Sequence, residues 1–486
     1  KIIYHQLRKS NIQIPLVFSP YFFEVMATSL YLFSPRIILN KNIIAMKSLH
    51  LLVLSSILFF SACDEHQQTT CMESDKFVMR GDTCFLVKGI TLFTDTIKAE
   101  NLYTNITDEL LCCANQVRHL SLDVDHSTNL EQLKSFKNLQ SLYLKGFQKI
   151  PKDILALKKL KKLVLEYHKQ QNIHIPSGIR SLSNLENLTL DVQVFPKEFL
   201  TLTHLKKLKI FNFDRFSQNQ QITEWFLQLK KLESIEIQNA THFPLSLSKM
   251  PQLRKINIRS TPQDTISIKI KIPSAIENLT YLEELNLENF TADSIPQSLG
   301  KLKSLAKLKL PFSKYLPQTL NQLHHLKELS FGSPDKEKIA LILTQLRSLE
   351  TLYLGGNTTL QNPKIRTALK NLNQLTNLYL SGDFVRIPPE IFLIKSLKVL
   401  RINRIIHPFR LFEQVNVVNS IEKLDIPFCN IEAIPDNIRY FKNLKYLRVT
   451  GCNLNEVSPE IGKLQNLEYL DISNNPALTS LPKEIK

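Results

Sequence analysis

The sequence lacks the residue patterns on which most catalytic sites depend. It has only 11 Gly in 486 residues, and these form neither a Gly-rich phosphate loop nor a G-x-S-x-G nucleophile elbow. Its 12 His are scattered, without a His/Cys cluster at metal-ligand spacing. We therefore predict that the protein is not an enzyme and has no catalytic residue, metal site or cofactor.

Signs of nucleic-acid binding are also missing, although the formal net charge is +17. The chain has no Arg-rich block, no zinc-finger spacing and no RNP-type run of aromatic residues. After residue 62 its Lys and Arg alternate with Glu and Asp, which is typical of a solvated surface. We predict no nucleic-acid partner.

What the sequence has in abundance is a repeated phrase of leucines, of which Leu282-x-x-Leu285-x-Leu287 is a clear copy. The first aliphatic residue of each of the sixteen copies is Val117, Leu139, Leu160, Leu185, Leu205, Leu232, Leu253, Leu282, Leu305, Leu326, Leu349, Leu375, Leu397, Ile421, Leu444 and Leu467. The spacing is about 23 residues, a period that indicates stacked structural repeats and not helical heptads.

Each copy predicts a short strand followed by a helical return. The last two leucines of the phrase alternate with polar residues, as in a strand with one buried face. Many copies then carry an aliphatic residue and a proline, as in Ile295-Pro296 and Ile434-Pro435. Proline ends an extended segment and can open a helical turn.

This phrase resembles the leucine-rich repeat family. The resemblance covers residues 117–486, about 16 repeats, and implies an α/β solenoid. We expect a horseshoe with a parallel β-sheet on its concave face and short helical, 3₁₀ or irregular convex segments.

One departure from the family concerns an asparagine that usually follows the phrase by three residues. Only Asn357 and Asn475 occupy this slot, and Cys429 and Cys452 fill it in two adjacent repeats. We predict a structural role for these cysteines. Because buried backbone groups still need partners, we also predict irregular turns or water bridges in the middle of the array.

The variable residues between the leucines predict where a partner binds. On the expected concave face, the C-terminal repeats concentrate Tyr and Arg over about 20 Å, and these residue types are enriched at binding hot spots. The candidate partner-binding residues are Tyr353, Tyr379, Arg401, Tyr446, Arg448 and Tyr469. The predicted partner is a protein or a glycan.

The N-terminal repeats carry a basic patch, which we interpret as a solvated face. It consists of Lys161, Lys162, Lys206, Lys207 and Lys209.

The segment that begins at Met46 predicts export. Lys47 precedes an apolar stretch too short to span a bilayer, and Phe60-Ser61-Ala62-Cys63 follows. These four residues resemble the lipobox of bacterial lipoproteins, which implies lipidation of Cys63. Residues 1–45 are then upstream translated or disordered sequence, 46–62 a lipoprotein signal peptide and 63–75 a tether.

Residues 76–116 are predicted to form an N-terminal cap region before the repeats. Cys71, Cys84, Cys112 and Cys113 lie in or near it, and export would expose them to an oxidising compartment. Four cysteines allow three disulfide pairings, and the alternative that they are free buried thiols stays open as well.

The lipobox and the repeat surface together predict a lipid-anchored interaction scaffold of a bacterial cell envelope, periplasmic or surface-exposed. The alternative is a secreted effector or adhesin that binds host proteins.

Overall fold

The computed structural model describes the repeat region and a short hairpin before it. It describes most of residues 117–485, with Ile106, Leu111 and residues 114–116, and the backbone alone of residues 77–80 and 83–86. The gaps in the repeat region are 125–129, 148–149, 167–175, 177, 192–196, 212–223, 225, 261–267, 356–359, 361, 383–386, 404–414, 417 and 419. The predicted segments 1–45, 46–62 and 63–75, the lipidation site Cys63 and the side chains of Cys71, Cys84, Cys112 and Cys113 lie outside the described residues.

A hairpin lies within the predicted cap region. Strand β1 (Phe77–Arg80) pairs antiparallel with β2 (Thr83–Leu86), so that Met79 is opposite Cys84.

The repeats form one parallel sheet of sixteen strands, in which each strand pairs with the strands of the repeats before and after it. The strands are β3 (His119–Asp123), β4 (Ser141–Lys145), β5 (Lys162–Glu166), β6 (Asn187–Asp191), β7 (Lys207–Phe211), β8 (Ser234–Gln238), β9 (Lys255–Arg259), β10 (Glu284–Asn286), β12 (Lys307–Lys309), β14 (Glu328–Gly332), β15 (Thr351–Gly355), β16 (Asn377–Ser381), β17 (Val399–Asn403), β18 (Lys423–Pro427), β20 (Tyr446–Thr450) and β22 (Tyr469–Asp471). Short parallel pairs form between β11 (Thr291–Ser294) and β13 (Phe312–Tyr315), and between β19 (Ala433–Ile434) and β21 (Glu456–Val457). The predicted parallel solenoid is confirmed.

The leucine phrase forms the core because its aliphatic residues stack in register. Leu329, Leu352 and Leu378 are direct neighbours in the sheet and at most 1% exposed. Burying one such side chain contributes about 1.5–3 kcal/mol, whereas ordering each residue costs about 1–2 kcal/mol. A single repeat is therefore unstable alone, and stability comes from the contacts between neighbours.

Convex segments return the chain to the sheet, mostly as 3₁₀ turns. These are Leu130–Ser135, Lys152–Ala156, Ile179–Ser181, Lys197–Thr201, Phe226–Gln228, Leu245–Lys249, Ser274–Asn278, Gln297–Lys301, Gln318–Gln322, Pro389–Leu393, Asp436–Tyr440 and Pro459–Lys463. The predicted role of proline is confirmed: Pro151, Pro296 and Pro435 each directly precede such a turn, with φ of −70°, −69° and −81°.

Two repeats return through α-helices, α1 (Lys336–Leu343) and α2 (Pro363–Lys370). Each helix has a side-chain N-cap. The Asp335 carboxylate accepts a hydrogen bond from the Lys338 N–H, and the Asn362 side chain accepts one from the Lys364 N–H. Both caps are residue types that favour the start of a helix.

The turns after the strands are more regular than the sequence predicts. In seven described repeats the residue just before the asparagine slot has a positive φ: Gly146 (78°), Asn239 (56°), Asn289 (68°), Gly382 (134°), Phe428 (55°), Gly451 (63°) and Asn474 (57°). The prediction of irregular turns is wrong at Asn239 and Asn289, because Asn tolerates the left-handed conformation that the turn needs. At Phe312 the chain does depart from this turn and begins β13.

Among the described repeats the slot holds a mixture of side chains, most of them buried, such as Phe147, Ala240 and Phe290. Asn475 accepts hydrogen bonds from the Cys452 and Leu454 N–H groups at 2.7 and 3.3 Å and donates to the Val449 carbonyl at 2.8 Å. The Cys452 thiol lies 3.0 Å from the Ile426 carbonyl and 3.4 Å from the Cys429 N–H. Both thiols are buried and free, and they replace asparagine as partners of the turn backbone. This is the structural role predicted for them.

Candidate functional site

The sheet brings all six predicted binding residues together on one face. Parallel pairing aligns a central row of Tyr353, Tyr379, Arg401, Asp425, Arg448 and Asp471. A leading row of Thr351, Asn377, Val399, Lys423, Tyr446 and Tyr469 runs beside it, two residues earlier in each strand. Adjacent strands are about 4.8 Å apart, so the six strands extend over about 24 Å. We call these two rows the C-terminal face.

Four of the tyrosines form two stacked pairs. The Tyr353 and Tyr379 ring centroids are 4.4 Å apart, and those of Tyr446 and Tyr469 are 4.3 Å apart, with interplanar angles of 10° and 2°. A lysine ammonium lies over one ring of each pair: Lys309 is 4.7 Å from the Tyr353 centroid, and Lys423 is 4.1 Å from that of Tyr446. Stacking covers one face of each ring, and the lysines lie over Tyr353 and Tyr446, so these pairs offer mainly ring edges, hydroxyl groups and the second faces of Tyr379 and Tyr469.

Between the tyrosine pairs runs a chain of alternating charges. Arg401 Nε lies 3.5 Å from Asp425 Oδ2, and an Arg448 guanidinium nitrogen lies 3.7 Å from Asp425 Oδ1. Arg448 Nε is 3.8 Å from Asp471 Oδ2. The Asp425 side chain is only 7% exposed, whereas the Arg401 and Arg448 side chains are 40% and 32% exposed. The carboxylate therefore holds two guanidinium groups that remain accessible to a partner.

Three buried polar atoms on this face have no hydrogen-bond partner among the described residues. They are Asp425 Oδ1, Asn403 Oδ1 and Thr450 Oγ1. Asn403 and Thr450 end their strands on either side of Pro427, two residues beyond the central row. Buried polar atoms are nearly always hydrogen-bonded in folded proteins, and water is the ordinary partner where no side chain reaches.

The charge state of the Tyr353 end is set by its surroundings. Burial raises the pKa of Tyr353, and the Lys309 ammonium partly offsets this rise. Burial lowers the pKa of Lys309, but the carboxylates of Glu288 and Glu328 outweigh burial and leave this pKa above its ordinary value. At neutral pH the face thus presents a neutral phenol beside a charged ammonium.

Comparison with known proteins agrees with this architecture. Residues 246–427 match the model of the leucine-rich repeat region, and residues 466–486 match a leucine-rich repeat. The fold is a leucine-rich repeat solenoid. The first match covers β9 to β18, which include most of the C-terminal face.

Individual relatives are distant. A volume-regulated anion channel subunit of Homo sapiens is 27% identical over 186 residues, which are 36% of this chain and 22% of the relative. A solved leucine-rich repeat protein of Leptospira interrogans is 22% identical, with a TM-score of 0.45, and the match covers 77% of this chain and 94% of that one. An internalin from Listeria monocytogenes is 16% identical, with a TM-score of 0.40 and coverage of 70% and 89%. The chain thus spans about a fifth of the length of its curated relative.

The sheet places four further charged residues beside the predicted ones. Lys309, Lys423, Asp425 and Asp471 belong to the same rows as the predicted residues, but only the structure shows their contacts with them. Glu284, Lys307 and Glu328 alternate along neighbouring strands as a cross-strand charge ladder, with Lys307 Nζ 3.7 Å from Glu328. Exposed pairs of this kind contribute at most about 1 kcal/mol.

The basic patch predicted in the N-terminal repeats is divided by the structure. Lys206 pairs with Glu186 at 2.9 Å, and Lys209 pairs with Glu236 at 3.0 Å. Lys161 and Lys162 are exposed and have no ion pair among the described residues. The patch is therefore not one uniformly basic surface.

A further row of charges borders the sheet where its strands begin. Its members directly follow the first aliphatic residue of each repeat, and backbone hydrogen bonds join each to the next. We call it the rim row: Arg118, Gln140, Lys161, Glu186, Lys206, Glu233, Arg254, Glu283, Ala306, Lys327, Glu350, Thr376, Lys398, Glu422, Lys445 and Glu468. From Glu186 onward acids and bases mostly alternate. Hydrogen bonds from Lys398 and Lys445 hold the pKa of Glu422 at about 2.

The described residues contain no group of three or more His, Cys, Asp or Glu side chains that could hold a metal ion. Within the same described part of the chain, no helix is long and apolar enough to cross a membrane.

Proposed function

We propose that this leucine-rich repeat domain is a non-enzymatic scaffold that binds a protein partner through the C-terminal face. The observation that carries the proposal is the chain from Arg401 through Asp425 to Arg448, flanked by two stacked tyrosine pairs. Tyr and Arg dominate binding energy at protein interfaces because each combines a large contact area with directional hydrogen bonds.

A protein segment fits this face better than a glycan. The exposed guanidinium groups can donate to the backbone carbonyls and carboxylates of a peptide. Stacking covers one face of each tyrosine ring, and Lys309 and Lys423 lie over the rings of Tyr353 and Tyr446, which leaves less ring area for a sugar.

Rigidity supports the same proposal. Tyr353, Tyr379 and Arg401 are fixed by strands that pair in register, and the tyrosine rings are half-buried. Few side-chain rotations are therefore lost on binding, which lowers the entropic cost of association.

Substitution on the C-terminal face should abolish most partner capture without unfolding the repeats. We expect Arg401→Ala combined with Tyr379→Phe to weaken capture about thirtyfold, because a hot-spot residue contributes about 2 kcal/mol. Phe retains the ring that stacks on Tyr353 and removes only the hydroxyl. Capture is measured by co-purification from the native host, and folding by thermal melting.

The matched control is Thr189→Ala, which lies in the same row of the sheet on β6, in the N-terminal half. It should leave capture and melting unchanged. Equal capture by the wild type and the Arg401 variant would remove the C-terminal face as the binding site.

We also propose that Cys63 carries a lipid and anchors the protein in a bacterial cell envelope. The support is the sequence from Met46 to Cys63 alone: a basic residue, an apolar stretch, small residues and a cysteine in register. A scaffold held at a membrane would present its concave face to proteins of that compartment.

Labelling with a fatty-acid probe tests the anchor. The wild type should be labelled and should fractionate with membranes, and Cys63→Ala should lose both properties. Unlabelled wild-type protein free in the medium would contradict the anchor and favour a secreted effector or adhesin.

A further inference from the structure

One stretch of the rim row contains basic residues and no acidic residue. From Glu186 to the end of the sheet, most basic members have an acidic neighbour at ion-pair distance, as in Lys206 with Glu186 at 2.9 Å and Lys327 with Glu350 at 2.9 Å. Before Glu186 the row reads Arg118, Gln140 and Lys161, without an acid. Three consecutive repeats at the N-terminal end of the sheet thus break the alternation.

The residues around this stretch increase the imbalance. Lys137, Lys158 and Lys159 lie in the turns that lead into β4 and β5, and Lys162 begins β5. These lysines are exposed, and no described residue forms an ion pair with them. We call Arg118, Lys137, Lys158, Lys159, Lys161 and Lys162 the basic edge.

Four described acids of these repeats have other partners. Asp123 pairs with Lys145 at 3.0 Å, and Asp153 lies 3.5 Å from Lys134. Glu166 accepts the hydroxyl hydrogen bond of Tyr143, and Glu186 accepts from Lys206. None of these four acids forms an ion pair with the lysines of the basic edge.

Two members of the edge border an open surface depression. It has a volume of about 340 Å³ and is lined by Arg118, Asn138, Gln140 and Lys159. Lys159 Nζ donates to Asn138 Oδ1 at 2.8 Å, and Asn138 Nδ2 donates to the Asn115 carbonyl at 2.6 Å. These bonds fix the positions of Asn138 and the Lys159 ammonium on one side of the depression.

We propose that the basic edge docks on an anionic phospholipid surface. The proposal rests on the anchor proposed above. The basic edge belongs to the first repeats of the sheet, which are the repeats that follow Cys63 most closely in the sequence. Lysines near a negatively charged bilayer are attracted to its headgroups, and several such lysines together act as a second membrane signal beside an acyl chain. Docking by this edge would fix the orientation of the solenoid and keep the C-terminal face away from the bilayer.

Vesicle binding by the unlipidated full chain tests this surface independently of the anchor. With Cys63→Ser, the chain should sediment with vesicles of phosphatidylcholine containing about 30 mol% phosphatidylglycerol and should not sediment with pure phosphatidylcholine. Combining Lys158→Glu, Lys159→Glu and Lys161→Glu should lower the partition coefficient by at least about tenfold. Raising the salt concentration should weaken binding of the parent chain, since exposed charges are screened.

A second triple variant controls for net charge. Lys395→Glu, Lys442→Glu and Lys483→Glu change the charge equally at exposed lysines of the C-terminal half and should leave vesicle binding intact. Melting is followed for both variants, and removal of mutually repelling lysines should not destabilise the basic-edge variant.

Three outcomes would overturn the proposal. One is equal loss of binding in the two triple variants, which would indicate net charge alone. Another is absence of binding to the anionic vesicles while duplex RNA or heparin binds, which would assign the edge to a soluble polyanion. The last is complete release from the vesicles by inorganic phosphate, compared with sodium chloride at the same ionic strength, which would indicate a pocket for a single anion. Absence of fatty-acid label from the wild-type chain would refute the anchor without altering the vesicle result.

Discussion

Replacing Gly300 by alanine should lower the free energy of unfolding by about 3 kcal/mol, the upper end of the range for overpacked sites. Gly300 lies in the return Gln297–Lys301, which packs against the return Gln318–Gln322 of the next repeat. An added Cβ would lie 2.3 Å from the Thr319 carbonyl oxygen and 2.6 Å from the Thr319 Cβ. Neither atom can rotate away, so the two repeats must separate.

Separation of two repeats matters more in a solenoid than in a globular core. Stability is close to a sum of repeat and interface contributions, so a weakened interface divides the array into two cooperative units. Unfolding in guanidinium chloride should show an earlier and broader transition for Gly300→Ala than for the wild type.

Gly355→Ala is the matched control, because the nearest atom to its added Cβ is the Ser381 carbonyl oxygen at 3.8 Å. The change should stay within about 0.5 kcal/mol, as for most exposed substitutions. Similar destabilisation by both variants would show that loss of glycine itself is responsible, and the account of close packing between the returns would be wrong.

The repeat pattern was sufficient to predict the fold. Each Leu-x-x-Leu-x-Leu phrase alternates buried and exposed positions in a way that a strand can satisfy, and the sheet places Leu352, Leu378 and Leu400 in one buried line as expected. The proline positions predicted the returns for the same local reason, since a fixed φ needs no information from the rest of the chain.

The turns could not be predicted as well, because several sequences satisfy the same backbone geometry. Gly146, Asn239 and Phe428 all adopt a left-handed φ before the slot, although a phenylalanine there carries no such signal. The partners of the buried turn groups also vary, from the Asn475 amide to the Cys452 thiol. Only the folded structure shows which side chain forms a hydrogen bond with which backbone group of the turn.

For the candidate site, the sequence predicted which residues lie next to one another in the sheet but not how their side chains contact one another. Parallel pairing and a period of two place Tyr379 beside Arg401 from the sequence alone. Stacking of the tyrosines and the burial of Asp425 depend on side-chain rotamers, which strand register does not fix. For that reason Asp425, which holds both arginines, was absent from the predicted site.

The second large effect concerns direct contact between the C-terminal face and its partner. Val399 lies in the leading row, beside Lys423 and one strand from Asn377, and its side chain is only partly exposed. A photoreactive amino acid at this position would lie within the proposed contact area without removing any Tyr, Arg or Asp of the face. It should form a covalent adduct with the partner in intact cells.

Position 187 provides a matched control. Asn187 occupies the same row of the sheet on β6, is also partly exposed, and lies in the half of the solenoid for which no partner contact is proposed. A photoreactive residue there should give no adduct. The difference between the two positions is expected to be nearly complete, because photocrosslinking requires contact within a few ångströms.

Photocrosslinking at position 399, compared with position 187, therefore decides whether the C-terminal face contacts the partner. We predict one adduct of defined mass at position 399, lost when Arg401→Ala is added, and none at position 187. Adducts of equal yield at both positions, or an adduct at position 187 alone, would contradict binding through the C-terminal face.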